Sequence, residues 1–502
     1  MNLAQIIKRH AQFSPQQVAI HAAGEDITYP ALWQRIERAT GVLLAAGVQP
    51  GDRVAWLGFN DPALLVLLFA LSRVGAILLP LNYRLAAPEQ VAILGHAGVS
   101  LLVSDSAHAG AATALATAQG CRLLPAAGLA ADGGGDADAG VLAGEYASPV
   151  LLVYTSGTTG RPKGALHTQS GLIWNCVIST HAHDLTQADH VLSVLPLFHV
   201  GGLCIQTLPA LHAGATVTLH ARFDAAAWLA DVARRRPTLS LMVPATLRAV
   251  LDHADFASAD LSSLRFLAAG SSTIPASMIA AIHARGVPLG QVYGATETGP
   301  VSIYLRRADA TQHVGAAGKA GLHVDVKLVN TLGETVAPGE VGEICVRAPN
   351  VMCGYWADDN NPAFADGWFH TGDLARCDAA GFYEVVGRSK DMIISGGENV
   401  YPAEIENLLA DCPQILEAAV VGQPDARWGE VVVAVIVKVP GADLDATHVL
   451  QLFEGRLARF KHPKRIVFCE ALPKTALGKV QKAGLLAGLA AQSTLNKPAG
   501  AF

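Results

Sequence analysis

Helical and strand patterns alternate along the first part of the chain. Residues 29–45 have apolar positions at helical spacing, and residues 52–57 predict a strand. The apolar run 62–73 predicts a buried helix, and residues 75–82 predict the next strand. Short strands that alternate with helices are typical of layered α/β domains with largely parallel sheets.

A later strand pattern ends in a run of small and hydroxylated residues. Residues 149–153 are apolar and predict a buried strand, and residues 154–164 read Tyr-Thr-Ser-Gly-Thr-Thr-Gly-Arg-Pro-Lys-Gly. Glycines let a backbone approach a polyphosphate, hydroxyls donate to its oxygens, and a lysine offsets its charge. The run therefore predicts a phosphate site. Its residues are Thr155, Ser156, Gly157, Thr158, Thr159 and Lys163.

Two other interpretations of this run are weaker. The common P-loop has Gly-Lys followed by Ser or Thr, whereas Lys163 follows Pro162 and precedes Gly164. A flexible linker is also rich in Gly, Ser and Thr, but it does not need Tyr154 and Lys163 at its two ends. We therefore interpret the run as a phosphate site of another type.

Two further segments predict strands that pass into loops at their carboxyl ends, where open α/β sheets bind ligands. Residues 267–275 contain Gly270-Ser271-Ser272, and residues 291–298 contain Tyr293-Gly294-Ala295-Thr296-Glu297. A ring suits a flat base, a hydroxyl suits a phosphate oxygen, and a carboxylate suits Mg²⁺. A Thr-Glu pair is also common at helix caps, and that alternative stays open at this point.

Three polar residues have ordinary explanations from residue type alone. His199 lies between an apolar strand pattern and paired glycines, where a buried core histidine is the better explanation. Asp373 can accept both hydroxyls of a ribose, with Arg388 assisting, but an Asp in a tight turn beside an Arg is also common. Lys479 ends a polar loop in which a lysine is usually solvated.

Taken together, these motifs resemble the adenylate-forming superfamily, which contains acyl-CoA synthetases, adenylation domains of peptide synthetases, and luciferases. Residues 154–164 match the nucleotide-binding loop of that family in full, and residues 293–297 match its Tyr-Gly-x-Thr-Glu motif. The chain looks most like fatty-acyl, feruloyl, 4-chlorobenzoyl and 2-succinylbenzoyl CoA ligases. The resemblance implies an α/β fold: a large N-terminal domain (1–389) of layered αβ sheets with a β-barrel-like subdomain, and a small, mobile α+β C-terminal domain (390–502) hinged at Lys390.

Within the large domain, the resemblance implies a role for each motif. Tyr293 stacks on adenine, Thr296 contacts the α-phosphate as a catalytic residue, and Glu297 holds Mg²⁺. His199, counted as catalytic, borders the carboxylate site. Many relatives have Gly-Gly-Ala where this chain has Gly270-Ser271-Ser272, so a side chain at 271 narrows the acyl pocket or offers it a hydroxyl. Further residues assigned to ATP or AMP are Ser271, Gly294, Ala295, Asp373 and Arg388, and those assigned to the acyl pocket are Trp174, Phe198, Gly201 and Val301.

Within the small domain, the resemblance implies the CoA site and a second catalytic cation. Gly396 and Gly397 line the pantetheine tunnel, and Lys479 contacts the reacting carboxylate and the α-phosphate. The stretch 455–482 contains eight Lys or Arg and one Glu, which is also compatible with a solvated face or an RNA site. Some of the ligases have Arg where this chain has His462. The residues assigned to the CoA nucleotide are Trp428, Phe460, Lys461 and Lys464.

Composition narrows the class of protein. A chain of 502 residues that is 51% hydrophobic can bury more than one core, and its net charge of −6 gives no general attraction to nucleic acid or anionic membranes. The eight cysteines contain no Cys-x-x-Cys pair, which predicts a cytoplasmic protein with reduced thiols. No signal peptide is evident, and the longest apolar run, residues 63–71, is too short to cross a bilayer.

The resemblance therefore implies an AMP-forming acyl-CoA synthetase that uses Mg²⁺, with ATP and CoA as co-substrates. We expect a fatty or aromatic monocarboxylic acid, because no Lys or Arg falls in the pocket motifs to bind a second carboxylate. Three alternatives stay open: an enzyme that loads a carrier protein, a 2-succinylbenzoate or other dicarboxylate CoA ligase, and a non-catalytic AMP-binding protein. A homodimer is a further open possibility.

Overall fold

Helices and strands alternate in the structure, a computed structural model that describes residues 2–131, 143–155, 163–272, 274–358, 363–396, 398–425, 427–474 and 480–495. The helices are α1 Leu3–Phe13, α2 Tyr29–Ala45, α3 Pro62–Val74, α4 Ala87–Ala97, α5 Ala109–Gln119, α6 Gln169–His183, α7 Val200–Gly202, α8 Leu208–Ala213, α9 Ala225–Arg235, α10 Pro244–Leu251, α11 Ala276–His283, α12 Pro402–Ala410, α13 Ala446–Gln451 and α14 Lys482–Leu495.

The strands are in most cases followed by a helix up to β12. They are β1 Val18–Ala22, β2 Glu25–Thr28, β3 Arg53–Leu57, β4 Ile77–Leu81, β5 Val99–Ser104, β6 Arg122–Pro125, β7 Pro149–Thr155, β8 Lys163–Thr168, β9 His190–Ser193, β10 Thr216–Leu219, β11 Leu239–Met242, β12 Phe266–Gly270, β13 Leu289–Tyr293, β14 Ile303–Tyr304, β15 Lys319–Ala320, β16 Asp325–Val329, β17 Val341–Arg347, β18 Gly354–Tyr355, β19 Phe364–Ala365, β20 Trp368–Cys377, β21 Tyr383–Arg388, β22 Ile393–Ser395, β23 Glu398–Val400, β24 Ile415–Asp425, β25 Gly429–Lys438 and β26 Arg465–Cys469.

The predicted α/β class is confirmed, and the α3 segment shows why the sequence folds this way. The Asp61 side chain accepts from the backbone N–H of Ala63 and caps the helix, and Pro62 occupies its first turn. Gly75 ends the helix in the left-handed conformation, with φ of 83°. Every residue from 64 to 74 is buried, as the apolar run predicts.

Within the described residues, the strands form two large sheets and two smaller ones. The nine-stranded sheet has the order β15-β14-β13-β12-β11-β9-β10-β1-β2, and the seven-stranded sheet has the order β18-β8-β7-β4-β3-β5-β6. The five-stranded sheets have the orders β16-β17-β20-β19, with β21 on β20, and β23-β22-β25-β24, with β26 on β25. Neighbours in the centres of the large sheets, such as β3 with β4 and β11 with β12, run parallel.

Contacts divide the chain into two compact units. The larger contains Met1–Ser271, Ala281–Val326 and Cys345–His370, and the smaller contains Ser272–Ala280, Lys327–Ile344 and Thr371–Phe502. In the smaller unit, α12 packs against the sheet around Ile405 and Leu409, and Leu485 and Leu489 of α14 join a second apolar cluster with Val421. The domain boundary between residues 389 and 390 stays a prediction.

One local expectation is wrong. The sequence pattern predicts an apolar strand directly before His199, but β9 ends at Ser193 and residues 194–199 are not in a strand. This segment is held as a loop instead, because the Asn60 side chain donates to the carbonyl of Leu195 and accepts from the backbone N–H of Leu197. In the part of the chain that the structure describes, each helix falls short of the length and apolarity that a membrane span requires.

Candidate functional site

Two antiparallel strands flank the predicted phosphate loop. β7 ends at Thr155 and β8 begins at Lys163, and these two residues are direct cross-strand partners. The Lys163 ammonium lies 3.5 Å from Oδ2 of Asp358 and 4.9 Å from the centre of the Tyr355 ring. The predicted phosphate ligands Ser156, Gly157, Thr158 and Thr159 lie outside the described residues.

The Thr296–Glu297 segment forms a turn that other parts of the chain hold in place. The backbone N–H of Met352 donates to the Glu297 carbonyl at 2.8 Å, and the Tyr355 hydroxyl donates to Oε1 of Glu297 at 2.7 Å. Within the turn, Oγ1 of Thr298 accepts from the backbone N–H of Ala295. No helix begins at these described residues, so the helix-cap explanation of the Thr-Glu pair is excluded.

Two neighbouring strand ends bring further predicted residues to one sheet edge. Gly270 of β12 and Val292 of β13 are parallel partners, so Ser271 and Tyr293 follow at the same end of the sheet. Ser271 has a φ of 76°, in the left-handed region. A side chain at Gly294 would place its Cβ 1.9 Å from the Pro300 carbonyl oxygen, so the turn itself requires glycine there.

The residues predicted to border the acyl group lie on and near α6 and α7. His199 caps α7, and its Nδ1 accepts from the backbone N–H of Gly201 at 3.1 Å, so a neutral ring carries its proton on Nε2. The buried Phe198 ring meets the edge of Tyr83 at 5.4 Å.

Trp174 and Val301 are the other two residues predicted to line the acyl pocket. Trp174 of α6 meets the His323 ring at 5.1 Å, and Val301 is fully buried.

Burial perturbs two titratable groups around this site. Burial lowers the pKa of His167, on β8, to about 4, so its ring is neutral at physiological pH. Burial and the charge of Glu297 raise the pKa of Tyr355, so its hydroxyl remains protonated and donates.

The carboxylate at Glu297 fits a magnesium ion that arrives with a nucleotide. Mg²⁺ takes oxygen ligands and is commonly bound by one or two carboxylates together with substrate phosphates. Among the described residues, the Glu297 carboxylate uses Oε1 for the Tyr355 bond, which leaves Oε2 for a cation. The Lys163 ammonium lies over the ring of the same Tyr355, and it is the cation that the sequence pattern assigns to phosphate.

In the smaller unit, Asp373 and Arg388 form an ion pair. The two residues are cross-strand partners in β20 and β21, and Nε of Arg388 lies 2.9 Å from Oδ1 of Asp373. Asp373 therefore lies in a strand, and the tight-turn explanation is wrong. Lys390 follows within the short 3₁₀ helix Ser389–Asp391 and is exposed.

Several predicted CoA residues lie together in the smaller unit. The backbone N–H of Gly396 donates to the Trp428 carbonyl at 2.8 Å, and the Trp428 ring is 42% exposed. The Lys464 ammonium lies 6.0 Å from the centre of that ring. Phe460 is also exposed, whereas Lys461 pairs with Glu404 at 2.6 Å. Gly397 and Lys479 lie outside the described residues.

Sequence reasoning missed Tyr355 and Asp358. They follow Gly354 in a stretch that carries no phosphate or metal motif, and Tyr355 reaches the site only because β18 pairs with β8. No spacing signal along the sequence indicates that pairing, since residues 165 and 355 are far apart in the chain.

Comparisons with known proteins show the family to which the chain belongs. A model of the family described as AMP-binding enzyme matches residues 7–356, and a model of the AMP-binding enzyme C-terminal domain matches residues 404–479. The chain is 47% identical over 494 residues to an indoleacetate–CoA ligase of Aromatoleum aromaticum, covering 96% of this chain and 97% of that protein. It is 44% identical over 476 residues to a feruloyl-CoA synthase of an Amycolatopsis species, covering 94% and 96%.

The fold also has a solved counterpart. The structure of o-succinylbenzoate CoA synthetase from Bacillus subtilis, in complex with its acyl-adenylate intermediate, superimposes with a TM-score of 0.87 at 30% identity and covers 96% of this chain and 97% of that one. The predicted fold, with a large N-terminal and a small C-terminal domain and mixed sheets layered with helices, is thereby confirmed.

Proposed function

Because the chain belongs to the AMP-binding enzyme family, we propose that it is an ATP-dependent ligase that joins a carboxylic acid to coenzyme A. The reaction converts ATP, the acid and CoA into acyl-CoA, AMP and pyrophosphate through an acyl-adenylate. The observation that carries this proposal is the convergence of Lys163 and Glu297 on one side chain, Tyr355. A fixed ammonium beside a carboxylate is what a metal-bound polyphosphate requires.

The first half-reaction brings two anions together, so its physical problem is charge and position rather than proton transfer. Lys163 and Lys479 neutralise the phosphates and the attacking carboxylate, and Thr296 donates to the α-phosphate. Glu297 holds Mg²⁺, which when bound offsets the remaining phosphate charge. His199 and Phe198 border the carboxylate.

Other residues hold the nucleotide during this step. Tyr293 stacks on adenine beside Gly294 and Ala295, Ser271 lies at the same sheet edge, and Asp373 accepts the ribose hydroxyls. Thr155, Ser156, Gly157, Thr158 and Thr159 donate to the phosphates. The Arg388 guanidinium orients the Asp373 carboxylate, since the two form an ion pair at 2.9 Å.

In the second half-reaction, the CoA thiol attacks the carbonyl carbon of the adenylate and AMP leaves. Residues 390–502 rotate about Lys390, which withdraws Lys479 and brings Gly396 and Gly397 to the site. The exposed Trp428 and Phe460 rings and the Lys461 and Lys464 ammoniums bind the CoA nucleotide.

An aromatic monocarboxylic acid is the substrate that we favour, because the relatives at 47% and 44% identity are named for indoleacetate and ferulate. Trp174, Gly201 and Val301 belong to the part of the chain that we assign to the acyl pocket. A fatty acid is the second candidate, since a long-chain fatty acid–CoA ligase of Mycobacterium tuberculosis is 32% identical over 505 residues.

All eight cysteines fall in the described residues and are free, which supports a reducing, cytoplasmic location. We keep the homodimer as an untested prediction.

An acid panel tests the proposed function. Purified protein is given ATP, Mg²⁺ and indoleacetate, ferulate, palmitate or 2-succinylbenzoate, with CoA or a phosphopantetheinyl carrier protein, and pyrophosphate and thioester are measured. We expect pyrophosphate release with an aromatic acid and thioester formation with CoA. Thioester formation only on the carrier would favour a carrier-loading enzyme, and no pyrophosphate with any acid would favour a non-catalytic AMP-binding protein.

Lys479→Ala tests whether Lys479 acts in adenylate formation and not in thioester formation. We expect adenylate formation to fall by orders of magnitude, roughly the 10²–10³-fold typical of one lost charge-stabilising donor. Thioester formation from supplied acyl-AMP should remain nearly intact, because that step has no attacking carboxylate to neutralise. An equal loss in both steps would refute the assignment.

A further inference from the structure

We propose that Tyr355 is a positioning residue for the adenylation step, holding the Glu297 carboxylate with its hydroxyl and the Lys163 ammonium against its ring. This inference rests on the proposed function, because it assigns Tyr355 a task in ATP binding and activation. It goes beyond that function, because neither the nucleotide loop nor the Thr-Glu motif contains this residue.

The first contact is to the carboxylate. The Tyr355 hydroxyl donates to Oε1 of Glu297 at 2.7 Å, which is short enough for a charge-assisted hydrogen bond. A bond to one oxygen restricts rotation of the carboxylate, so Oε2 occupies one place instead of several. A ligand atom that is already in place loses less conformational entropy when a metal–nucleotide complex binds.

The second contact is to the cation. The Lys163 ammonium lies 4.9 Å from the Tyr355 ring centre, within the range of a cation–π interaction, and 3.5 Å from Oδ2 of Asp358. Asp358 itself forms a backbone bridge with Tyr355. A lysine side chain has many rotamers, and the ring and the Asp358 carboxylate together restrict them.

The backbone around Tyr355 connects the two motifs. Tyr355 pairs with Ala165 of β8, and the backbone N–H of Trp356 donates to the Gly164 carbonyl at 2.7 Å. Three residues before Tyr355, Met352 donates to the Glu297 carbonyl. Residues 352–356 therefore fix the strand that carries Lys163 and the turn that carries Glu297 at once. The Tyr355 side chain lies at the point where the two meet.

Tyr355→Phe is the central test, because it removes the hydroxyl and keeps the ring. We expect the Mg²⁺ concentration for half-maximal adenylate formation to rise roughly tenfold, the effect of losing one hydrogen bond to a charged group. Equilibrium binding measured by calorimetry should show weaker affinity for MgATP and unchanged affinity for metal-free ATP. Thioester formation from supplied acyl-AMP should not change, since pyrophosphate and its metal have already left.

Tyr355→Leu is the second variant, because it also removes the ring face beside Lys163. We expect it to weaken metal-free ATP binding as well, by several-fold, since the ammonium loses its aromatic partner. If the Tyr355→Leu and Tyr355→Phe variants bind metal-free ATP with the same affinity, the Tyr355 ring does not position the Lys163 ammonium, and this part of the proposal fails.

Tyr29→Phe is the matched control. Tyr29 is a fully buried tyrosine of the larger unit, whereas Tyr355 is partly buried, and the Tyr29 hydroxyl donates to the Ala215 carbonyl at 2.7 Å. We expect this control to lower the melting temperature without changing the Mg²⁺ dependence. If Tyr355→Phe behaves in the same way, Tyr355 is only structural and the inference fails. If the wild-type protein binds no ATP and forms no adenylate, the proposed function fails instead.

Discussion

Ser271 shows at the scale of one residue how this chain departs from a glycine-lined site. Its φ of 76° lies in the left-handed region, which costs a residue with a Cβ about 1–2 kcal/mol. It directly follows β12 at the sheet edge that also carries Tyr293. The family resemblance implied an extra side chain there, and the structure adds that the backbone at this point is better suited to glycine.

Replacing Ser271 with glycine should therefore stabilise the protein. We expect Ser271→Gly to raise the free energy of unfolding by up to about 1 kcal/mol, because relief of the left-handed strain exceeds the added chain entropy of glycine. The measurement is the denaturant concentration at which the larger unit is half unfolded. Ser271→Ala is the control, since it removes the hydroxyl but keeps the Cβ, and stabilisation by alanine as well would assign the effect to the hydroxyl.

Gly294 illustrates the opposite case at the same scale. The motif predicts a nucleotide contact there, but a Cβ would lie 1.9 Å from the Pro300 carbonyl oxygen even without any ligand. The turn before Thr296 and Glu297 therefore needs glycine for its own backbone. The close approach of these two backbone segments cannot be predicted from the sequence, because no local pattern around Pro300 indicates it.

At the scale of single elements, the loop between β24 and β25 carries the predicted CoA surface. The Trp428 ring is exposed on it, with the Lys464 ammonium at 6.0 Å and the Arg427 guanidinium at 5.1 Å from its centre. An exposed ring between two cations can stack on a base while the cations bind phosphates. The assignment of the basic stretch that includes Lys464 to CoA was made from the sequence. The position of Lys464 beside Trp428 depends instead on the pairing of β25 with β26.

Lys464→Ala should weaken CoA binding alone. We expect the KM for CoA to rise roughly fivefold to tenfold, the effect of one charge-assisted contact, with kcat and adenylate formation unchanged. Steady-state kinetics with varied CoA measure this. Lys438→Ala is the matched control, because Lys438 also lies over an aromatic ring of the smaller unit, that of Phe468, at 5.0 Å. An equal rise in both variants would contradict the CoA assignment.

At the scale of the whole molecule, histidines that are buried or half-buried make stability depend on pH. Burial lowers the pKa of four histidines of the larger unit to about 4: His167, His183, His190 and His212. The same side chains in an unfolded chain take up a proton near pH 6.5. The folded state therefore binds fewer protons than the unfolded state between pH 6.5 and 4, and stability falls as the pH falls through that window.

We expect the melting temperature to be nearly constant above pH 7 and to fall below pH 6.5. Each histidine contributes a loss of about 1.4 kcal/mol per pH unit inside the window. Differential scanning fluorimetry from pH 8 to pH 5 measures the slope, and His212→Gln should reduce it. Leu208→Ala, a buried substitution that does not titrate, should lower the melting temperature without changing the slope. A wild-type melting temperature that is flat down to pH 5 would contradict this account.

The family and its main motifs were predictable because their chemistry is contiguous. Residues 154–164 carry glycines, hydroxyls and a lysine within one loop, so the phosphate site could be inferred without knowing the fold, and the α3 helix was evident from its cap and its apolar run. The loop before His199 was not predictable. Whether apolar residues such as Leu195 and Leu197 pair as a strand depends on Asn60, which reaches them from far along the chain.

By itself, the sequence determined the class of protein, the α/β alternation and the nucleotide motifs, because side-chain types and local spacing are properties of short segments. The folded chain, in contrast, places Tyr355 between Lys163 and Glu297 and pairs Asp373 with Arg388 inside a sheet. These contacts depend on which strands pair and in which register. Register is set by the burial of whole sheet faces, so no single segment encodes it.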